Sequence, residues 1–297
     1  MTEIPPDFRY NEEKRKLGRT MTVREKTEKL ISFEDCYTAH RITPDTWMVK
    51  TKTDDMPFSC DCYLLEGSHW ALAIDSGMQL PDIAEYMSLL TDKPILGVLN
   101  THSHFDHTGG NGYFDKVFLH PLAEQGAKTP FGNAQGYKTD YEVTPVEEGS
   151  LLELGDRTLE IYEIGAHDLS SIAILDRSRG ILFTGDEVES GWCNVGSMAG
   201  RKPGQTIERH YQNLLKLKKL YDEDAFQMIC PAHHGAPLSK ESLLDFLKCD
   251  ELILAGEEGC PNVPKKCAPP PMPPEARVMI YRTAHICYRV DGIRDDG

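Results

Sequence analysis

The stretch that decides the fold is residues 100–114, which read NTHSHFDHTGGNGYF. It places three histidines and one aspartate within the six positions 102–107. It directly follows the apolar run PILGVL (94–99), which is typical of a buried strand. Ligand-type side chains at the end of a buried strand are held by a rigid scaffold, so this pattern favours a metal site over an ordinary polar loop.

The spacing of these side chains indicates how they would share metal ions. His102 and His104 are two residues apart, so on an extended backbone both side chains leave one face and can bind one ion. Asp106 and His107 are adjacent at a turn, are expected to point away from the first pair, and can serve a second ion. Further candidate ligands follow other β-type runs: His167, Asp186, and either His233 or His234.

Outward from the motif, short strands and amphipathic helices alternate in two similar rounds. The predicted strands or hairpins are WMVKT (47–51), CDCYLLEG (60–67), HWALAIDSG (69–77), LLELGDRTLEIYEIG (151–165), SSIAILDRSRGILFTGD (170–186) and FQMICPAHHG (226–235). The predicted helices are LPDIAEYMSLLTDK (80–93), TIERHYQNLLKLKKLYD (206–222) and SKESLLDFLKCDELILAG (239–256), the last with Ser239 as its N-cap. Two such rounds suggest a sandwich of two sheets with helices outside.

These elements divide the chain into three predicted parts. Residues 1–40 are expected to form an N-terminal extension, which is compatible with a homodimer. Residues 41–255 form the domain that carries the motif. Residues 256–297 contain the Pro-rich segment CAPPPMPPEA (267–276), a stiff tether, and two short strands predicted to pack on the same domain.

Composition restricts the class of protein and of partner. Hydrophobic residues make up 40% and charged residues 27% of the chain, as in ordinary soluble globular proteins. A formal net charge of −15 disfavours nucleic acid and anionic membrane as partners, because both are bound by clustered Lys and Arg. No apolar stretch reaches the roughly 18 residues of a membrane helix. We therefore predict a small-molecule substrate and, since no secretory signal is visible, a cytoplasmic location.

The nine cysteines form no CxxC pair, so they fit neither a disulfide framework nor a zinc ribbon. Cys60 and Cys62 share one face of a predicted strand. They form either a soft metal site or a pair of reduced core thiols, and free cysteines are commonly buried in this way.

The chain resembles the metallo-beta-lactamase superfamily. The likeness is carried by the HxHxDH pattern at 102–107, by His167, by Thr184-Gly185-Asp186 and by Pro231-x-His233, in the family's order and spacing over residues 41–255. The resemblance implies an α+β fold, a four-layer αββα sandwich with a binuclear metal site at one edge of the two sheets. It further implies one ion held by His102, His104 and His167, a second held by Asp106, His107 and His233, and Asp186 bridging both. It favours His233 over His234, because the family ligand stands two residues after the proline.

The predicted chemistry is hydrolysis. Neutral imidazoles with few carboxylates suit zinc, although iron or manganese suits the same ligands. Two ions lower the pKa of a shared water toward about 7, so that a bridging hydroxide can attack an ester, lactone, thioester or amide-like carbonyl. By the same resemblance, Asp106 is the predicted catalytic residue, which orients the hydroxide and passes a proton to the leaving group.

Alternative functions of the same fold leave their own signals in a sequence. A non-hydrolytic iron-dependent redox enzyme is expected to carry Glu at the position of His104. A phosphodiesterase or nuclease is expected to carry a basic arm or an inserted cap. His104 and the acidic charge therefore favour the hydrolase over both alternatives.

The segment around His167 departs from the family pattern. The family reads close to PGHTPGS, whereas this chain reads GAHDLSS (165–171), which places Asp168 near the metals as a solvated acid or as a partner of a ligand. No lysine stands where antibiotic-degrading members bind a carboxylate, so antibiotic hydrolysis is not predicted. The predicted pocket walls, which alternatively are packing residues and a solvated turn, are Met56, Phe58, Trp192, Met198, Arg201 and Lys202.

Overall fold

The computed structural model describes residues 22–52, 59–78, 81–129, 138–197, 201–261 and 273–295. The helices in these ranges are α1 Val23–Ser32, α2 Ile83–Leu90, α3 Phe105–Thr108, α4 Glu124–Ala127, α5 Ile207–Asp222 and α6 Ser242–Leu254. The strands are β1 Tyr37–Thr43, β2 Thr46–Thr51, β3 Asp61–Glu66, β4 Ala71–Ile74, β5 Ile95–Leu99, β6 Val117–Leu119, β7 Val143–Pro145, β8 Leu151–Glu153, β9 Thr158–Glu163, β10 Ile172–Asp176, β11 Ile181–Gly185, β12 Cys193–Val195, β13 Met228–Pro231, β14 Leu238–Ser239, β15 Ala276–Tyr281 and β16 Ala284–Arg289.

The strands form three sheets. The first sheet has the order β1-β2-β3-β4-β5-β6-β7, antiparallel from β1 to β4 and parallel from β4 to β7. The second sheet has the order β14-β13-β11-β10-β9-β8, in which only β13 and β11 pair in parallel. A third, small sheet has the order β12-β16-β15.

The alternation of apolar side chains along buried strands builds the layers. On β3, Tyr63 and Leu65 face the second sheet, while Cys62 and Leu64 join the core under α1 and α2. On β10, Ile174 contributes to the core between the sheets, and its neighbours on the opposite face join the core under α5 and α6. Because successive side chains leave opposite faces of a strand, a strand that is apolar throughout packs on both sides. The predicted α+β fold, a four-layer αββα sandwich, is confirmed.

Most predicted elements appear close to their predicted positions, with a clear exception at the start of α6. The N-cap predicted at Ser239 is wrong: Ser239 belongs to β14 and pairs with Met228, and α6 begins at Ser242. At the start of α5, by contrast, Thr206 caps the helix, with its hydroxyl accepting the N–H of Arg209 at 3.2 Å. A serine three residues before a helix therefore extended a sheet here instead of capping the helix.

Both predicted flanking parts contain elements that pack on the central domain. At the N-terminal side, β1 already lies in the first sheet from Tyr37, so the sheet includes residues that the predicted 1–40 extension contained. At the C-terminal side, β15 and β16 form a hairpin, and β16 pairs in parallel with β12. The three-part division itself stays a prediction. None of the helices in the described ranges has the length and apolarity of a membrane span.

Candidate metal centre

The candidate site lies where loops leave the two sheets at one edge. The loop after β5 carries His102 and His104, and α3 continues it with Asp106 and His107. From the second sheet, the loop between β9 and β10 carries His167. The residues that directly follow β11 and β13 supply Asp186 and His233. Four loops that are distant in sequence therefore converge at one place.

The first group of candidate donors contains His102, His104, His167 and Asp186. His104 Nδ1 lies 3.0 Å from His102 Nε2 and 3.1 Å from His167 Nε2. Asp186 Oδ2 lies 3.4 Å from His167 Nε2 and 3.9 Å from His102 Nε2. The predicted pairing of His102 and His104 on one face is thus present in the structure, and His167 joins them from the other sheet.

The second group contains Asp106, His107 and His233. His233 Nε2 lies 3.3 Å from His107 Nε2 and 3.5 Å from Asp106 Oδ2. The expectation that this part of the motif points away from the first pair is wrong, because the rings of His102 and His107 are only 4.0 Å apart between centroids. The one-turn helix α3 folds His107 back beside His102, so the two groups are adjacent.

Asp186 lies between the two groups. Its Oδ2 is 3.4 Å from His233 Nε2 as well as from His167 Nε2, and its Oδ1 is 3.3 Å from His107 Nε2. The preceding Gly185 has φ of +54°, and an added Cβ would stand 2.8 Å from the Cβ of Thr101. Only glycine fits this close approach and this left-handed backbone, which brings Asp186 into the centre.

The outer ring nitrogens of the candidate histidines are oriented by other groups. His107 Nδ1 lies 2.9 Å from Asp75 Oδ2, and His167 Nδ1 lies 2.7 Å from the Asn194 main-chain oxygen. His233 Nδ1 lies 3.1 Å from the Ser59 main-chain oxygen. A ring that donates through Nδ1 presents the lone pair of Nε2 to the centre, which is the arrangement usual in metal-binding histidines.

The structure places the two adjacent histidines differently. His233 lies in the second donor group, whereas the exposed His234 lies outside both groups. His234 has φ of +63°, which turns the chain sharply after His233. The geometry therefore brings His233, the favoured residue, to the other donors.

Asp168 is buried, which removes the interpretation as a solvated acid. Its Oδ2 accepts a hydrogen bond from Ser103 Oγ at 2.9 Å, and the same oxygen lies 3.7 Å from His104 Nε2. Its Oδ1 accepts the N–H of Ser170 at 2.8 Å. Asp168 thus connects the loop of His167 with the loop of His104.

The predicted pocket walls receive little support. Met56, Phe58 and Met198 lie outside the described residues. Arg201 donates to the main-chain oxygen of Asp291, and its methylenes lie against Gly196, so it packs toward the C-terminal segment. Trp192 is half-buried.

Sequence reasoning missed several buried acids around the site and one buried histidine, His210, which contacts Glu187. Asp75 and Glu187 have direct contacts with the candidate histidines. Glu189 is buried and its Oε2 has no hydrogen-bond partner among the described residues. Burial raises the pKa of Glu189, and the charge of Asp186 adds to this rise. The signal available in the sequence was the acidic run DEVE (186–189) directly after a strand.

Cys60 lies beside this centre without needing an ion. Its Sγ is 3.6 Å from His107 Nδ1, and Cys60, Asp75 and His107 together resemble a third donor group. The ring nitrogen is closer to Asp75, at 2.9 Å, and the same carboxylate accepts the hydroxyl of Thr101 at 2.8 Å. Ordinary hydrogen bonds therefore account for this cluster, and both Cys60 and Cys62 are buried thiols.

The two main groups fit divalent metal ions on three observations. Ligand atoms of a tetrahedral zinc ion lie about 3.3–3.6 Å from one another, and the donor distances above scatter around that value. Asp186 Oδ1 is buried and has no hydrogen-bond partner within the described ranges. Burial, together with the nearby His107, lowers the pKa of His102 well below its usual value, which favours the neutral ring that binds metals in the first group; in the second group burial is outweighed by the charge of Asp186, which raises the pKa of His107 and of His233.

Comparisons with known proteins show which family this chain is similar to. Residues 55–239 match the family model described as metallo-beta-lactamase superfamily. The acyl-coenzyme A thioesterase MBLAC2 of Gallus gallus is 30% identical over 203 residues, which cover 58% of this chain and 71% of that protein. A hydroxyacylglutathione hydrolase of Nostoc sp. is 28% identical over 165 residues, which cover 53% of this chain and 59% of that protein.

The fold is also found among solved structures. A metallo-beta-lactamase from Pontibacter korlensis superposes with a TM-score of 0.56 at 18% identity, covering 72% of this chain and 99% of that one. Rubredoxin oxygen:oxidoreductase from Desulfovibrio gigas superposes with a TM-score of 0.54 at 18% identity, covering 72% of this chain and 62% of that one. At these identities the likeness concerns the fold alone.

Proposed function

Since the chain belongs to the metallo-beta-lactamase superfamily, we propose that it is a two-metal hydrolase of small-molecule thioesters. The predicted enzyme class, a hydrolase of this fold, is confirmed by the relatives above. The observation that carries the finer proposal is the position of Asp186, whose two oxygens lie 3.3–3.4 Å from His107, His167 and His233. A carboxylate between two histidine groups supports a pair of ions that share one ligand.

The thioester is proposed from the relatives. One group of similar proteins is named for acyl-coenzyme A and the other for hydroxyacylglutathione. In both substrates the acyl group is attached to the thiol of a larger carrier, so the two names share one reacting bond. We therefore narrow the ester, lactone, thioester and amide-like bonds of the sequence prediction to the thioester.

The residues would divide the work as the two groups suggest. His102, His104 and His167 would hold one ion, Asp106, His107 and His233 would hold the other, and Asp186 would bind both. A histidine-rich donor set with few carboxylates favours zinc over manganese or iron. When bound, such ions supply Lewis acidity and make hydroxide available from water near neutral pH.

Asp106 would have a second role in the reaction. Hydrolysis forms a carbon–oxygen bond, breaks the carbon–sulfur bond and leaves one proton of water on the sulfur. Asp106 Oδ2 lies 3.5 Å from His233 Nε2 and 3.9 Å from His107 Nε2, at the side of the centre formed by the second group. From there its carboxylate would orient the attacking water and carry the proton to the leaving thiolate.

The test is hydrolysis by protein whose metal content has been measured after loading with zinc, manganese or iron. Acyl-coenzyme A, S-(2-hydroxyacyl)glutathione and matching oxygen esters serve as substrates, and the released thiol or acid is quantified. We expect turnover of the thioesters, fastest with zinc, and a loss of more than about 100-fold in Asp106→Ala, as for other groups that move protons in a reaction.

The matched control is Asp222→Asn, which changes an exposed aspartate that pairs with Lys218 on the surface of α5. It should hydrolyse thioesters like the unchanged protein. No thioester turnover by protein that carries two ions per chain would refute the proposed substrate class. A protein that retains no ion from any of the three metals would refute the metal centre.

A further inference from the structure

Glu187 makes contacts that the metal-binding roles leave unexplained. It directly follows Asp186, and its side chain is fully buried. Its Oε1 accepts the N–H groups of Ala166 and His167, each at 2.9 Å, and its Oε2 also accepts from the His167 N–H at 3.0 Å. One carboxylate therefore connects the loop that carries His167 to the loop that carries Asp186.

His210 holds Glu187 from behind. This histidine of α5 is fully buried, and its Nε2 donates to the Glu187 main-chain oxygen at 2.9 Å. Its Nδ1 donates to Asp250 Oδ2 of α6 at 2.8 Å, and Asp250 is also fully buried. The hydrogen bonds that join Asp250, His210 and Glu187 thus connect the helix layer to the edge of the second sheet.

Other side chains near the start of α5 contact the same loop. Gln205 Nε2 donates to the main-chain oxygen of His167, and Asn213 Nδ2 donates to that of Gly165 at 3.2 Å. The main-chain groups of this loop are therefore held from two sides, by Glu187 and by α5. GAHDLSS lacks the proline of the family pattern, so these contacts replace the stiffness that proline would give.

Burial of the ionisable groups of Glu187, His210 and Asp250 costs folding free energy unless each charge is paired. Apolar side chains of similar size at these positions would commonly give a protein that is no less stable. A network that is retained at this cost beside donor groups suggests a function in holding them. Partners of metal ligands typically change metal affinity by about 10–100-fold when they are replaced.

We propose that Glu187 is a positioning residue of the metal centre, which fixes His167 relative to Asp186, and that His210 and Asp250 hold Glu187 in place. Glu187 acts through its hydrogen bonds to the main chain and binds neither metal nor substrate. The inference rests on the proposed metal centre.

The test compares cobalt(II) binding by the unchanged protein, Glu187→Gln and Glu153→Gln. The glutamine keeps the size of the glutamate but has one oxygen in place of two, so it cannot accept all three hydrogen bonds. Glu153 is an exposed strand residue whose carboxylate accepts the hydroxyl of Thr158, and its variant controls for loss of charge. Affinity is measured by competition with a chelator, and ligand geometry by the visible absorption of the cobalt-saturated protein.

We expect Glu187→Gln to bind cobalt about 10–100-fold more weakly, with an altered absorption spectrum at saturation. Glu153→Gln should match the unchanged protein in both measurements. An affinity of Glu187→Gln within about twofold of the unchanged protein, with the same spectrum, would overturn the positioning role. An unchanged protein that binds no cobalt would instead overturn the metal centre, so the two failures are distinguishable.

A second variant covers the case in which Glu187→Gln does not fold, as judged by circular dichroism. Asp250→Asn keeps an oxygen that accepts the His210 Nδ1–H and removes only the charge farthest from the centre. Weaker cobalt binding with a shifted spectrum would support the network. Binding and spectrum identical to those of the unchanged protein would overturn it.

Discussion

His107 of the second donor group and His167 of the first differ in the kind of group that orients the ring. In the second group, His107 is fully buried, and its Nδ1 lies 2.9 Å from the carboxylate of Asp75. In the first group, the outer nitrogen of His167 lies against the main-chain oxygen of Asn194, and the side chain of His104 is 42% exposed. A carboxylate raises the basicity of the imidazole it contacts, whereas a carbonyl mainly orients it. The orientation of the His107 ring therefore depends on one replaceable side chain, whereas that of the His167 ring depends on the position of a main-chain group.

The largest expected effect comes from removing the side chain that both groups share. Asp186→Ala should lower thioester hydrolysis by more than about 100-fold and reduce the number of ions retained at both groups. The loss should be larger than the one caused by replacing a residue that only hydrogen-bonds to a ligand, because Asp186 is itself a candidate ligand of both ions. The measurement is metal content per chain after gel filtration, together with the rate. If the variant lost one ion and retained the other at full affinity, Asp186 would serve a single group.

Asp75→Asn tests whether the second group depends on the carboxylate that contacts His107. We expect metal binding there to weaken by about 10–100-fold, because the asparagine can still accept the His107 Nδ1–H but brings no charge. The backbone should tolerate the change, since Asp75 has φ of +57° and asparagine adopts this left-handed conformation readily. Stepwise titration with cobalt measures the two affinities separately. Equal weakening of both groups would contradict the proposed difference between them.

The buried histidine behind the first group gives a smaller, pH-dependent effect on stability. Burial opposes the charge on His210, but Asp250 and the other acceptors outweigh it and raise its pKa from 6.5 to about 9. Between these values the folded protein binds one proton more than the unfolded chain, so the free energy of unfolding should fall as the pH rises through this window. The full contribution, present below pH 6.5, corresponds to about 3 kcal/mol.

Urea unfolding at several pH values tests this prediction, with His210→Gln as the comparison. The difference in stability between the two proteins should be largest near pH about 6 and should shrink toward pH about 9.5, because the neutral histidine loses its charge advantage. A difference that stays constant across this range would mean that His210 is neutral in the folded protein.

The candidate donors of both groups were identifiable before any coordinates, but their neighbours were not. HxHxDH, TGD and PxH are local patterns that each follow a strand; residue type and position marked candidate side chains, and the resemblance to the family selected among them. Asp75, Glu187 and His210 stand in segments that look like ordinary strand ends and helix faces. Their relation to the donors depends on contacts across 20 to 40 positions, such as His210 with Glu187 and with Asp250.

Two other features of the structure were missed or wrongly predicted because they depend on how separate segments fold together. The third sheet was not predicted, since three-residue β12 has a partner only because β16 returns to it from the C-terminal segment. The direction of His107 was predicted wrongly, because a turn was assumed where α3 winds the chain back toward His102. The ligand assignments, the homodimer and the cytoplasmic location stay predictions.

The sequence alone determined the layered α+β architecture and the set of candidate ligands. Both depend on short-range patterns: apolar alternation decides which faces of a strand are buried, and ligand spacing decides which side chains can meet. The tertiary structure brings Asp186 between the two groups and His233 rather than His234 to the other donors, as the family resemblance implied, and it alone showed that a buried acid and histidine hold the loop of His167. Those relations arise where separate strands end at one edge, and no local pattern records the distances between them.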